Sequence, residues 1–344
     1  MEIRMAKRSN SKRNSIKTDH KSVKIIGQDP SILNILNLIE KIKDVDAPVL
    51  IEGESGVGKE LIARFIHYNS IRKDDPFIMV NCGAIPENLL ESEFFGHEKG
   101  AFTGATHQKM GYIMAAGNGT LFLDEVDDLT FHLQVKLLHV LQSGEYSAVG
   151  TAKSMITNTR FIAASKHPLK DMVKQERFRD DLFYRLNVLR IDIPPLRNRK
   201  SDVPLLCDYF MESQCKKMGK TQLTLTTHAL DALMNYEFPG NVRELENILK
   251  RAIVYCDEES IKLEHLSFDI QENVRLIDGQ KIYNDVFADA KRKIVEDFEK
   301  KYLAKKLEEC NGIILKAAKR AGMYESNFRE KMKKYSISAD SFKD

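Results

Sequence analysis

The sequence predicts an α/β fold, a mostly parallel sheet between helices, followed by an all-helical segment and a small all-α terminal region. Three observations carry this. Between Ile25 and Ile193, short apolar runs alternate with amphipathic stretches, the pattern of strands joined by crossover helices. One of those runs opens into Gly53-Glu54-Ser55-Gly56-Val57-Gly58-Lys59, a glycine-rich turn leading into a helix. Past Pro194-Pro195 the strands stop, and apolar residues recur only at helical spacing.

Residues 1–24 carry eight Lys or Arg against Glu2 and Asp19 and almost nothing apolar, which predicts a disordered basic tail. It serves either as an arm on DNA phosphates or only for solubility. The α/β core spans 25–194. Ile32, Ile35, Leu36, Leu38, Ile39 and Ile42 predict its first helix. Strands are expected over 48–51, 77–81, 121–124, 160–164 and 188–193, with helices over 60–67, 86–93 and 130–143. Helices over 203–218, 227–236 and 241–256 build an all-helical region, 195–266.

Residues 267–284 are polar and aperiodic and read as a linker. In 285–344, Phe287, Ala290, Ile294, Phe298, Tyr302 and Leu307 define a long amphipathic helix, whose expected role is to pair two copies. A short helix over 313–321, a turn at Gly322 and a basic helix over 326–335 then describe a helix-turn-helix. Seven Lys or Arg between Lys316 and Lys334, against Glu325 and Glu330, favour DNA binding over a hairpin used only for assembly. Within the DNA-binding stretch that begins at Ser326, Asn327, Arg329, Glu330 and Lys333 are candidates for base edges, and Lys331 and Lys334 for phosphates.

A chain of 344 residues exceeds one ordinary core, and 42% hydrophobic with 30% charged residues is the composition of a soluble globular protein. No apolar run approaches membrane-spanning length, and the basic amino terminus lacks the apolar centre of a signal peptide, so a cytoplasmic place is expected. Five widely spaced cysteines with no C-x-x-C pair indicate neither a disulfide framework nor a zinc site.

The chemistry begins at the glycine turn. Close-wrapped backbone N–H groups and a helix N-terminus point at one anion, and Lys59 adds a charge toward the terminal phosphates of a nucleoside triphosphate. Glu60 stands where Ser or Thr would place a hydroxyl on Mg²⁺, so either the metal site is weakened or the ion is held from elsewhere. Thr120-Leu121-Phe122-Leu123-Asp124-Glu125 supplies such a place at the carboxyl end of a strand. Asp124 can hold Mg²⁺ through water, and Glu125 can orient and deprotonate the attacking water, which suits hydrolysis. With Asp127 and Asp128 following, a solvated acidic turn is the weaker alternative.

Between the second and third strands, Gly100-Ala101-Phe102-Thr103-Gly104-Ala105 makes a poor helix and a poor strand. A loop exposing Phe102 forgoes about 1.5 to 3 kcal/mol of burial, the mark of a contact surface. This loop resembles the signature loop of bacterial enhancer-binding proteins, the AAA+ ATPases that activate RNA polymerase carrying sigma-54. The phosphate loop ending in Glu60 is similar to that family's, and the resemblance runs from about Ile25 to Ile337 and ends in a Fis-type helix-turn-helix.

The resemblance implies an AAA+ P-loop core with a helical lid, ATP and Mg²⁺ as cofactors, and assembly from dimers to a hexameric ring. It implies that Gly100 to Ala105 contact sigma-54, chiefly through Phe102 and Thr103, that Asn81 restrains Glu125, and that Arg243 senses bound phosphate from the lid. Arg179 and Arg185 match arginine fingers that enter a neighbouring subunit's site; read from charge alone they would be surface partners of Asp180 and Asp181. The implied partners are the sigma-54 polymerase holoenzyme and upstream enhancer DNA, with no membrane.

The chain departs from the family at Ala163-Ala164-Ser165-Lys166, where Ala-Thr-Asn is usual. The 24 residues before the core are too few and too polar for a sensory domain, so control is expected from a partner acting in trans, from expression level or from a region absent from this chain. A DNA-binding scaffold with a structural nucleotide, and a helicase or clamp-loading machine, are the rival functions. The first leaves Lys59, Asp124, Glu125 and Arg185 without purpose, the second Gly100 to Ala105.

Overall fold

The computed structural model describes residues 23–272 and 287–342. The basic stretch 1–22 and most of the linker expected over 267–284 lie outside the described residues. The chain divides into two compact units, one ending at Ser267 and the other beginning at Phe268.

The first unit is built on a five-stranded sheet in the order β2-β3-β6-β1-β7, from β1 (Val49–Glu52), β2 (Phe77–Asn81), β3 (Thr120–Asp124), β6 (Arg160–Ser165) and β7 (Leu189–Asp192). Every pairing in it is parallel. Strand alternation sends side chains to two separate cores. Leu50, Leu121, Leu123 and Ala163 join α3 (Glu87–Phe95), α4 (Tyr112–Ala116), α5 (Phe131–Ser143), α6 (Leu169–Lys174) and α7 (Asp180–Leu186) on one face. Val49, Ile51, Phe122, Ile162 and Ala164 pack on the other against α1 (Pro30–Ile42) and α2 (Lys59–Tyr68). The central strands are therefore apolar on both faces between their polar ends, which is why they read as unbroken runs.

The five expected strands are present in this sheet. Shorter elements escape a sequence reading. The hairpin of β4 (Glu145–Ser147) and β5 (Ser154–Ile156), with α4 and α6, offers three to six residues each, too few for a period.

The helices α8 (Val203–Met218), α9 (Thr227–Met234) and α10 (Asn241–Tyr255) follow in the same unit. The expectation that strands stop past Pro195 needs one correction. β8 (Thr224–Leu225) and β9 (Ser260–Ile261) pair in parallel where the segments flanking α9 and α10 run side by side. Thr226 continues this pairing, its amide and hydroxyl both donating to Ile261 O.

In the second unit, α11 (Phe287–Glu308), α12 (Ile314–Arg320) and α13 (Glu325–Lys334) enclose a small core of Leu303, Leu307, Ala317, Ala318, Phe328 and Met332. Ala317 and Ala318 let α12 approach its neighbours closely. Gly322, at φ +67°, takes the left-handed turn that frees α13 to change direction.

Candidate nucleotide site and contact loops

β1, β3 and α2 bring the phosphate loop and the acidic residues to the carboxyl edge of one sheet. Gly58 N-caps α2 at φ +108°, and a β-carbon added there would meet open space, so the backbone leaves a cradle at the helix N-terminus. Lys59 is largely buried, and its Nζ donates to Gly53 O at 2.6 Å and Glu54 O at 3.1 Å. Burial lowers its pKa, an effect opposed chiefly by Asp124. Asp124 mirrors this: burial raises its pKa and Lys59 pulls it back. This lysine opposite a half-buried carboxylate is a donor set that fits a Mg²⁺–triphosphate. Glu60 is placed differently, its carboxylate bound to Arg64 at 2.7 Å one helical turn away.

Glu125 adopts the left-handed conformation, φ +55°, rare for a side chain of its size and a form of strain found at functional sites. Its Oε2 and Asp128 Oδ2 converge on Gly83, where a β-carbon would lie 2.6 and 2.8 Å from them. Lys166 offsets the crowding of like charges, with Nζ 2.8 Å from Asp128 Oδ2. The neighbouring Ser165 hydroxyl donates to His167 O. No hydrogen bond joins Asn81 to Glu125; Asn81 Oδ1 accepts the Ala84 N–H, capping the short turn after β2. Proximity through Gly83 is all the two share.

From α10, Arg243 Nη1 reaches Ser55 Oγ at 3.1 Å, so the expected phosphate-sensing arginine does lie at the loop. Residues that the sequence reading missed join it there. Arg197 forks onto Glu54, Arg199 donates to Val57 O, and the fully buried Asn241 bonds both Glu54 and Ser55. Asn241 in Phe238-Pro239-Gly240-Asn241 was the available signal, a turn sequence opening a helix.

The two candidate fingers differ. Arg179 is paired with Asp181 through two bonds of 2.7 and 3.0 Å, the arrangement read from charge alone. Arg185 is exposed on α7, and among the described residues its side chain bonds only Leu141 O. Neither is bonded to Lys59, Asp124 or Glu125.

The loop Gly100 to Ala105 closes on itself through Gly100 N–H to Ala105 O, 2.9 Å, and Ala105 N–H to Phe102 O, 3.0 Å. Phe102 is 40% exposed, with its ring edge-on to that of His97 at 5.0 Å, and Thr103 and Gly104 are exposed beside it. Ala105 is buried, so it serves the loop's base and not a contact surface. The segment joining β4 and β5 braces that base. Glu98 N–H bonds Val149 O, Val149 N–H bonds Gly96 O, and a β-carbon on Gly150 would strike Ala101 Cβ at 2.6 Å.

On α13, Ser326, Asn327, Arg329, Glu330, Lys333 and Lys334 are exposed. Arg329 is tied to Glu325 within the helix, and Lys334 lies over the Tyr335 ring at 4.9 Å. Lys331, expected on phosphates, is held in an ion pair. It binds Glu299 of α11, which Tyr335 also engages, so it fastens α13 to α11.

Family models match this chain in series: the sigma-54 interaction domain over residues 25–192, the AAA+ ATPase lid domain over 197–278, and the Fis family of bacterial regulatory proteins over 294–335. The response regulator PilR of Pseudomonas aeruginosa is 42% identical over 319 residues, covering 91% of this chain and 70% of its own length. The nitrogen fixation protein AnfA of Azotobacter vinelandii is 39% identical over 340 residues, 99% of this chain and 62% of AnfA. Among solved structures, NtrX of Brucella abortus in complex with ATP aligns at a TM-score of 0.67 with 29% identity, over 92% of this chain and 70% of that one. The chain thus spans roughly two thirds of the length of these relatives.

Proposed function

The chain belongs to the family of sigma-54-dependent transcriptional activators with an AAA+ ATPase core, and from that premise we propose a ring-forming motor that hydrolyses ATP to remodel the sigma-54 polymerase on a promoter. The observation that supports it most is the meeting of Lys59, Asp124, Glu125 and Arg243 around one phosphate loop. PilR and AnfA, the relatives above, are named as a response regulator and a nitrogen fixation protein, and the NtrX structure holds ATP.

In this reading the loop amides and Lys59 bind the phosphates, and Asp124 holds Mg²⁺ through water. The ion, when bound, neutralises charge developing on the transferred phosphoryl group. Glu125 orients the attacking water and takes its proton, and Arg243 reads the phosphate from the lid. Arg185, with Arg179 once released from Asp181, completes the site of an adjoining copy. A trans-supplied arginine makes turnover depend on assembly. Phe102 and Thr103 transmit the stroke to sigma-54. The helix-turn-helix holds the assembly on upstream DNA through Asn327, Arg329, Glu330 and Lys333.

In vitro transcription decides the matter. Open complexes should form with the sigma-54 holoenzyme and ATP, and should be absent without ATP or with a housekeeping holoenzyme. Activation that needs no hydrolysis, or ATPase stimulated by DNA alone, would overturn this reading.

A further inference from the structure

Glu54 is an odd residue for an anion cradle, because a carboxylate beside bound phosphates repels them unless it is neutralised. The neutralising group comes from the lid side. Arg197 Nη2 and Nη1 lie 2.5 and 2.8 Å from the two Glu54 oxygens, and Asn241 Nδ2 adds a third bond at 3.1 Å. Asn241 is wholly buried at φ +55°, with Oδ1 accepting from Leu196 N–H at 2.8 Å and Nδ2 also reaching Ser55 O at 3.0 Å.

The backbones interlock as well. Gly56 O accepts from Val242 N–H and Arg243 N–H, so the phosphate loop caps the first turn of α10. A β-carbon on Gly56 would fall 2.3 Å from Gly240 O, which leaves no slack between them. On the opposite side, buried Arg199 donates to Val57 O at 3.0 Å.

We propose that Glu54, Arg197 and Asn241 form a clasp through which the lid sets the shape of the phosphate loop, making Glu54 and Arg197 positioning residues for nucleotide binding. The inference rests on the ATPase reading above and concerns the same site. Because four successive loop residues, Glu54 to Val57, are bonded to Arg197, Arg199 and the first turn of α10, the loop and these lid groups move as one body. A lid that swings must therefore carry Ser55 and Gly56 with it, and nucleotide release follows lid position.

The test uses the full chain, a fluorescent ADP analogue and steady-state ATP turnover. Arg197→Met should weaken analogue binding and raise KM by about tenfold, as loss of a bidentate charged pair does, while kcat stays within about twofold. Glu54→Gln breaks the same fork but also removes the repelling carboxylate, so it should weaken binding by less than Arg197→Met. The double variant should be no worse than Arg197→Met alone, because both remove one clasp. Arg197→Lys, which keeps the charge and loses the fork, should fall between and serves if Arg197→Met does not fold.

Binding by Arg197→Met within about twofold of wild type, or single effects that multiply in the double variant, would overturn the clasp. Multiplying effects would mean that Arg197 touches the nucleotide itself. Lys59→Ala separates the two claims: loss of binding there with Arg197→Met unaffected removes the clasp and leaves the ATPase. A wild-type chain without turnover removes the ATPase reading itself.

Discussion

Glu125 and His67 show how single residues are placed at opposite costs. Glu125 keeps its carboxylate beside Gly83 only by adopting a left-handed backbone, a strain of roughly 1 to 3 kcal/mol that the surrounding sheet and turn must hold. His67 sits at the other end of the helix that begins with Lys59, fully buried, with Nδ1 2.9 Å from Thr120 Oγ1. Burial lowers its pKa from the ordinary 6.5, so the folded chain keeps the imidazole neutral where the unfolded chain takes up a proton. Since the unfolded state then binds more protons, stability is full above pH 6.5 and declines as pH falls from 6.5 toward the lowered value. The slope in that window is at most about 1.4 kcal/mol per pH unit. His67→Gln should abolish this share of the slope, so the stability advantage of wild type over the variant should shrink between pH 7.5 and 5.5 in denaturant unfolding. A gap that stays constant with pH would show that His67 does not titrate on unfolding.

At the scale of elements, the exposed loop from Gly100 to Ala105 stands on the connection between β4 and β5. Gly150 holds φ +86° and abuts Ala101, so Gly150→Val adds both backbone strain and a collision. The nucleotide site shares no bond with this contact. ATP turnover should therefore remain within about twofold while open-complex formation falls by tenfold or more, as a Thr103 substitution should also produce. Equal losses in both assays would mean that the brace supports the whole core. Nothing in the sequence announced it, because three-residue strands have no measurable period and the Gly150–Ala101 approach is purely tertiary. The sheet was legible for the opposite reason: its central strands are covered on both faces and so carry unbroken apolar runs, Val49 to Ile51, Leu121 to Leu123 and Phe161 to Ala164. Lys59, Asp124 and Glu125 were legible because backbone geometry ties them to a strand end or a helix start. Arg197 and Asn241 were not, since their phosphate-loop partners lie more than 140 residues away in the chain.

For the whole molecule, the proposed ring raises the question of why a chain with its own lysine, acids and lid arginine would use another copy. Arg185 gives the physical answer. Its exposed guanidinium bonds one carbonyl of its own chain, a cheap contact to give up, and it makes no bond to its own Lys59, Asp124 or Glu125. A group that stabilises transition-state charge must reach the phosphates, and in the proposed ring Arg185 would do so at an adjoining protomer's site. Arg185→Ala keeps its own Glu125 but lends no finger, whereas Glu125→Gln lends a finger but has no base. Each alone should bind ATP and turn over at least a hundredfold more slowly, given the usual worth of a general base or a trans arginine. Mixed in equal amounts and allowed to exchange, an Arg185→Ala site next to a Glu125→Gln subunit has both groups again. With random assembly that arrangement arises at about a quarter of sites, so turnover should recover toward a quarter of the wild-type rate. Gel filtration of each variant with ATP checks that assembly itself survives. Full activity in Arg185→Ala, or no recovery on mixing assembled variants, would mean that each protomer completes its own site.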